Sequence, residues 1–182
     1  MRKPEWVRIS SKVILDHPRI KLVEDIVKLP NGRTTDYVYE PRGLRDSVAC
    51  LAINPNGEIL LSRQYNYPSD SILWQLPGGG IEKGETSLDA VFRELKEETG
   101  LIASEADYLG FFYTNNRRSS QKQYVYAVKK FTIEGTDLED TEQIFSEWKS
   151  IKDIEEMIEG AQISNINLLA AFALAKKYLM RR

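Results

Sequence analysis

The stretch GGIEKGETSLDAVFRELKEETGL runs from Gly79 to Leu101, and its reading decides the fold. Glu85 follows Gly79 after five residues, and Arg93-Glu94 follows after seven more. With Leu95, Glu97, Glu98, Gly100 and Leu101 this makes nine positions at fixed offsets, a pattern that rarely arises by chance. Upstream, Pro77-Gly78-Gly79-Gly80 breaks the apolar run Ile72-Leu73-Trp74, and its glycines allow positive φ and close approach of a ligand. Thr86 and Ser87 can cap a helix, with Asp89 adding negative charge near its N-terminus. At about 100° per residue, Leu88, Val91, Phe92 and Leu95 fall on one side of that helix. Glu94, Glu97 and Glu98 fall on another, centred roughly 110° away.

That acidic face is costly. Glu94 and Glu98 stand at i, i+4, and like charges so placed destabilise a helix by a few tenths of a kcal/mol, roughly, per pair. Lys96 and Arg93 point elsewhere on the wheel, although Arg93 can reach back. A charge run is ordinarily a solvated surface face. Here the glycine loop at the helix entry and the complete spacing favour another reading. Clustered carboxylate oxygens without cation partners are what a hard divalent ion requires.

This spacing resembles the Nudix box, the mark of enzymes that hydrolyse a nucleoside diphosphate linked to another group. The resemblance implies an α/β/α sandwich with a mixed sheet, and it assigns roles. Glu94 and Glu98 would ligate Mg²⁺ or Mn²⁺, Glu97 would be a further or water-mediated ligand, and the Gly78 carbonyl would lie near the same ion. Glu85 would orient the other carboxylates, and Arg93 would hold them in place. Two or more cations would bridge the pyrophosphate and activate water, with electrostatic positioning supplying most of the acceleration.

The remaining composition sets limits. The chain has 182 residues, enough for one domain with a full core and a small appendage. A formal net charge of −2, with no basic stripe, argues against a nucleic-acid polymer as partner. Cys50 is alone, so no disulfide staples the chain, and its apolar neighbours suggest an inert thiol in a reducing compartment. No stretch approaches the ~20 apolar residues of a membrane-spanning helix, and the N-terminus lacks a signal-peptide core. The expected location is the cytoplasm, with no membrane partner.

Two segments are expected: a β-sheet over 1–45 and a catalytic domain over 46–182. In the first, Val7 to Leu15, Ile20 to Leu29 and Thr34 to Glu40 read as strands, with Pro30-Asn31-Gly32 as the hairpin turn. Three strands alone bury little. In the branch of the Nudix family that acts on ADP-ribose, a sheet of this kind crosses to a partner in a homodimer; packing on its own domain is the alternative. In the second segment, 47–53, 58–65, 72–76, 102–113 and 123–131 read as strands, and 151–159 and 166–180 as helices.

Substrate choice lies outside the box. Arg63-Gln64-Tyr65-Asn66-Tyr67-Pro68 resembles the corresponding segment of the pyrophosphatases for ADP-ribose and nucleotide sugars. Asn66, however, replaces a frequent arginine, Gln75 replaces a usual glutamate, and the 114–120 loop lacks the usual proline. Arg117 and Arg118 are candidate phosphate or sugar contacts, with two solvated loop arginines as the alternative. Arg63 is a further candidate contact. Trp6, Tyr65 and Tyr67 can stack on a base or simply pack, and Trp148 can close the site or lie in the core. The resemblance points to Glu142 as general base, with Asp140 and Glu139 next. His17 reads as a turn residue.

The expected activity is metal-dependent cleavage of a nucleoside diphosphate sugar, of the ADP-ribose or GDP-mannose type, to a nucleoside monophosphate and a sugar phosphate. A pyrophosphohydrolase for nucleoside triphosphates and a non-catalytic nucleotide-sugar sensor are the alternatives.

Overall fold

Alternation along one short strand sets up the layers. In the computed structural model, which describes residues 5–41, 45–134 and 144–180, the chain forms two compact units. One takes the described residues up to Asp46 with Tyr113–Lys122, and the other takes Ser47–Phe112 and the described residues from Gln123 onward.

The first unit holds an antiparallel sheet in the order β1 (Val7–His17), β2 (Ile20–Lys28), β3 (Thr34–Tyr39). Gly32, at φ +82°, closes the β2–β3 turn by donating to the Leu29 carbonyl at 2.9 Å. β1 departs from regular register at Ile9 and Ile14, and all of its residues are exposed.

The second unit is built on β4 (Ser47–Ala52), β5 (Ile59–Asn66), β6 (Ser71–Gln75), β7 (Leu101–Ile102), β8 (Asp107–Tyr113), β9 (Lys122–Val128), β10 (Thr132–Ile133) and β11 (Phe145–Lys149). The strand orders are β4-β9-β8, β11-β5-β6 and β10-β7. β4 and β9 run parallel, while β5 pairs antiparallel with both its neighbours. Among the described residues its helices are α1 (Ser87–Thr99), α2 (Ile151–Glu159) and α3 (Ile166–Leu179). Side chains alternate across a strand, so β4 serves two cores. Val48, Cys50 and Ala52 pack with Ala90, Val91 and Leu95 of α1. Ala49 and Leu51 pack with Ile154 of α2 and with Leu168, Ala171 and Phe172 of α3. The result is the expected α/β/α sandwich with a mixed sheet.

Several details differ from the sequence reading. β11 was not foreseen; Phe145-Ser146-Glu147-Trp148-Lys149 alternates only weakly and gains its definition by pairing with β5. The strand expected over 123–131 ends at Val128, and the chain re-pairs at Thr132 with β7. Trp148 stacks on Phe131 at 5.8 Å within the α1-side core. Among the described residues, no helix is long and apolar enough to cross a membrane.

Candidate active site

The box loop is seated by the edge of β4. The Val48 N–H donates to the Gly79 carbonyl at 2.9 Å, the Cys50 N–H donates to the Pro77 carbonyl at 2.8 Å, and Ser47 bridges to Gly80. Gly78 has φ +149°, and a Cβ there would overlap the Val48 carbonyl. At Gly79 a Cβ would run into the Glu94 carboxylate. The glycines are therefore required by contact with a strand on one side and with a functional carboxylate on the other.

Helix α1 enters from this loop. Thr86 is its N-cap, its hydroxyl accepting from the Asp89 N–H at 3.2 Å, and Gly100 at φ +69° closes it. The buried face differs from the one expected: it comprises Ala90, Val91, Leu95 and Glu98, while Leu88 is exposed and Phe92 half-buried. Glu98 falls near the centre of that face at about 100° per residue, so the acidic and apolar faces overlap. Its burial is supported by a hydrogen bond, since the Gly78 N–H donates to Glu98 Oε2 at 2.9 Å.

Nor are the carboxylates without a cation partner. Arg93 reaches back along the helix: Nη1 donates to Glu94 Oε1 at 2.9 Å and to Glu97 Oε2 at 3.0 Å. Nε donates to Glu85 Oε1 at 2.9 Å, and Nη2 to Glu85 Oε2 at 3.0 Å and to the Gly80 carbonyl at 2.9 Å. The planar guanidinium satisfies this because its five N–H groups fan out in one plane. The hydrogen bond from Arg93 holds the Glu85 carboxyl below its ordinary range, against the opposing pull of burial. Glu85, foremost among the three glutamates, in turn holds the guanidinium's proton more tightly than usual. Beneath, the Cys50 thiol is pushed up first by burial and then by the nearby Glu98 charge.

Gly78, Glu85, Arg93, Glu94, Glu97 and Glu98 are thus brought into one contact network. Among the described residues no three His, Cys, Asp or Glu side chains form a ready metal cage, and Arg93 holds one oxygen each of Glu94 and Glu97. The donor set is nevertheless all hard carboxylate oxygen, and the absent Cβ of Gly79 leaves the Glu94 carboxylate its place.

The other candidates have local partners. Arg63 pairs with Glu147 at 2.7 Å and lies 5.0 Å over the Trp74 ring, and the exposed Tyr65 donates to Asp70. Asn66 accepts from the Ser69 N–H as cap of a short 3-10 turn, and Gln75 donates to Gln64. In the N-terminal unit the Arg118 guanidinium donates to the Val38 carbonyl, the Arg117 carbonyl accepts from Tyr37, and Trp6 meets Tyr37 edge-on. Glu139, Asp140 and Glu142, the candidate bases, lie outside the described residues. The resemblance gave Arg93 the role of holding the carboxylates; the reading of the helix wheel alone, which left the glutamates without a cation partner, missed that one guanidinium reaches Glu85, Glu94 and Glu97.

The NUDIX domain model matches residues 43–172, so the chain belongs to the Nudix family and is a hydrolase of that family. It is similar to an ADP-ribose pyrophosphatase of Bacillus subtilis, with 27% identity over 98% of this chain and 95% of that protein. It is also similar to a methanol dehydrogenase activator of Bacillus methanolicus, with 32% identity over 66% of this chain and 64% of the other. A solved structure described as an ADP compounds hydrolase superposes with a TM-score of 0.87 at 19% identity, covering 98% of this chain and 95% of that one, and so shares the fold.

Proposed function

We propose that the protein hydrolyses the pyrophosphate bond of a nucleoside diphosphate sugar, of which ADP-ribose is the leading candidate, to a nucleoside monophosphate and a sugar phosphate. The observation that carries this is the glutamate cluster of α1, held against the Gly78–Gly80 loop by Glu98 and gathered by Arg93. The near full-length likeness to an ADP-ribose pyrophosphatase supports the substrate class.

Glu94, Glu97 and Glu98, with the Gly78 carbonyl, would hold Mg²⁺ or Mn²⁺. Such a cation neutralises pyrophosphate charge and activates water when bound. The chain's own part is preorganisation. Arg93 and Glu85 fix the carboxylates before substrate arrives, so little reorganisation is left to the reaction. The Gly78 N–H donates to the buried Glu98 carboxyl and fixes its place at the loop. Glu142 is proposed as the base that removes the proton of the attacking water. Arg63, Tyr65, Arg117, Arg118 and Trp6 are proposed substrate contacts, for which Arg63, Tyr65 and Arg118 must leave Glu147, Asp70 and the Val38 carbonyl. The N-terminal sheet is proposed as the dimerisation element, and the cytoplasm as the location.

The test is incubation with Mg²⁺ and a panel of nucleotide sugars and nucleoside triphosphates, followed by assay of phosphate monoesters. AMP and ribose phosphate from ADP-ribose are expected. Binding of these compounds without turnover of any would overturn the proposal in favour of a sensor.

A further inference from the structure

The end of the sheet beneath the box loop carries a polar side chain with one unanswered atom. Gln123, near the start of β9, is in register with Ser47 of β4, and Ser47 bridges to Gly80. The row ends at the Gly80 carbonyl, which accepts from Arg93. Gln123 Nε2 donates to the Val48 carbonyl oxygen at 3.4 Å. That carbonyl is the atom against which Gly78 packs, and the Gly78 N–H holds Glu98. Gln123 is therefore tied to the glutamate cluster by two short routes, one through Gly80 and Arg93, the other through Val48 and Gly78.

The amide's other atom, Gln123 Oε1, is buried and has no hydrogen-bond partner among the described residues. Its identity follows from its neighbour. A carbonyl oxygen can receive only the NH₂ of a carboxamide, so the oxygen is left on the unmatched side. Folded proteins nearly always supply a donor to a buried acceptor, because leaving one unmet is destabilising.

We infer that Gln123 Oε1 is a ligand-binding acceptor of this site, which takes an O–H donor brought in with the ligands of the glutamate cluster. That donor is either a water of the cation's hydration shell or a hydroxyl of the substrate. Mg²⁺ and Mn²⁺ sites commonly retain such waters, and the sugar of a nucleotide sugar carries several hydroxyls. The inference rests on reading the α1 glutamates as the site.

Two variants of the full chain separate the roles of the amide's two ends. Gln123→Met keeps the shape and removes both polar atoms; Gln123→Glu keeps an acceptor and removes the donor to Val48. Mn²⁺ binding without substrate, followed by electron paramagnetic resonance, is measured beside KM and kcat. In Gln123→Met either Mn²⁺ affinity falls or KM rises by about tenfold. The first result identifies the hydration water as donor, the second the substrate hydroxyl. Gln123→Glu is expected to stay within about threefold of the parent in the same quantity, since its carboxylate still accepts. Equal loss in both variants would assign the role to the Val48 contact and overturn the inference. So would a Met variant with unchanged Mn²⁺ affinity and KM. If Gln123→Met does not fold, the Glu variant decides alone: retained function supports the acceptor role, and lost function overturns it. Failure of the parent chain itself to bind Mn²⁺ or turn over substrate would remove the reading of the glutamates, a result distinct from one confined to the variants.

Discussion

Glu98 is a carboxylate at the centre of a helix's buried face, and burial of a charge is tolerated only when the charge is answered. The Gly78 N–H answers it on one side. Glu98→Gln keeps an oxygen to accept from that N–H, so the fold should persist while the anionic ligand is lost. Turnover should drop by at least about a hundredfold with an unchanged circular dichroism spectrum; full activity would sink the metal assignment. Arg93 and Glu85 support a second expectation. The carboxyl of Glu85 is held below its ordinary 4.5 chiefly by the Arg93 hydrogen bond. A lowered folded-state value adds stability above the unfolded value, and that stability is lost as pH falls through the folded one. Thermal unfolding of the parent and of Arg93→Met should therefore differ most near neutral pH, and the gap should close below 4.5. A gap that stays constant into acid would show that Arg93 acts by packing alone.

Elements matter through how the loop and α1 seat each other. Gly79 and Gly78 face different neighbours, so the same substitution should have different consequences. Gly79→Ala pushes a methyl into the movable Glu94 carboxylate, whereas Gly78→Ala meets the Val48 backbone at a φ that favours glycine. The former should chiefly lower turnover and the latter chiefly lower the melting temperature. Equal effects on both quantities in the two variants would contradict this division. At the entrance of α1, Thr86→Ala removes the cap to the Asp89 N–H. It should cost about 1 kcal/mol of stability by denaturant titration, with kcat little changed.

For the whole molecule, the N-terminal sheet presents apolar surface. Trp6, Val7, Ile9, Val13, Ile14 and Leu15 are all exposed. Exposed large apolar side chains gathered on one strand are suited to an interaction site, and here the proposed occupant is a second copy of the chain. Sedimentation should give twice the mass expected from 182 residues. Val13→Lys should shift the species toward monomer without unfolding the second unit, and a parent chain that sediments as a monomer at all concentrations would refute the dimer.

The box was legible in the sequence because its information is local. Turn glycines, a capping threonine and carboxylates three and four residues apart act through backbone geometry that any helix supplies. The metal-type donor set, the Nudix family and the layered α/β/α fold follow from that short stretch and from the alternation of the strands around it. What the residues did not disclose individually depended on packing. Burial of Glu98 depends on where β4 lies, and capture of Glu85, Glu94 and Glu97 by one guanidinium depends on where the loop turns. The unmatched oxygen of Gln123 exists only because β9 lies beside β4 in one register. Contacts between residues far apart in the chain have no signature in spacing; folding alone brings them within hydrogen-bond reach.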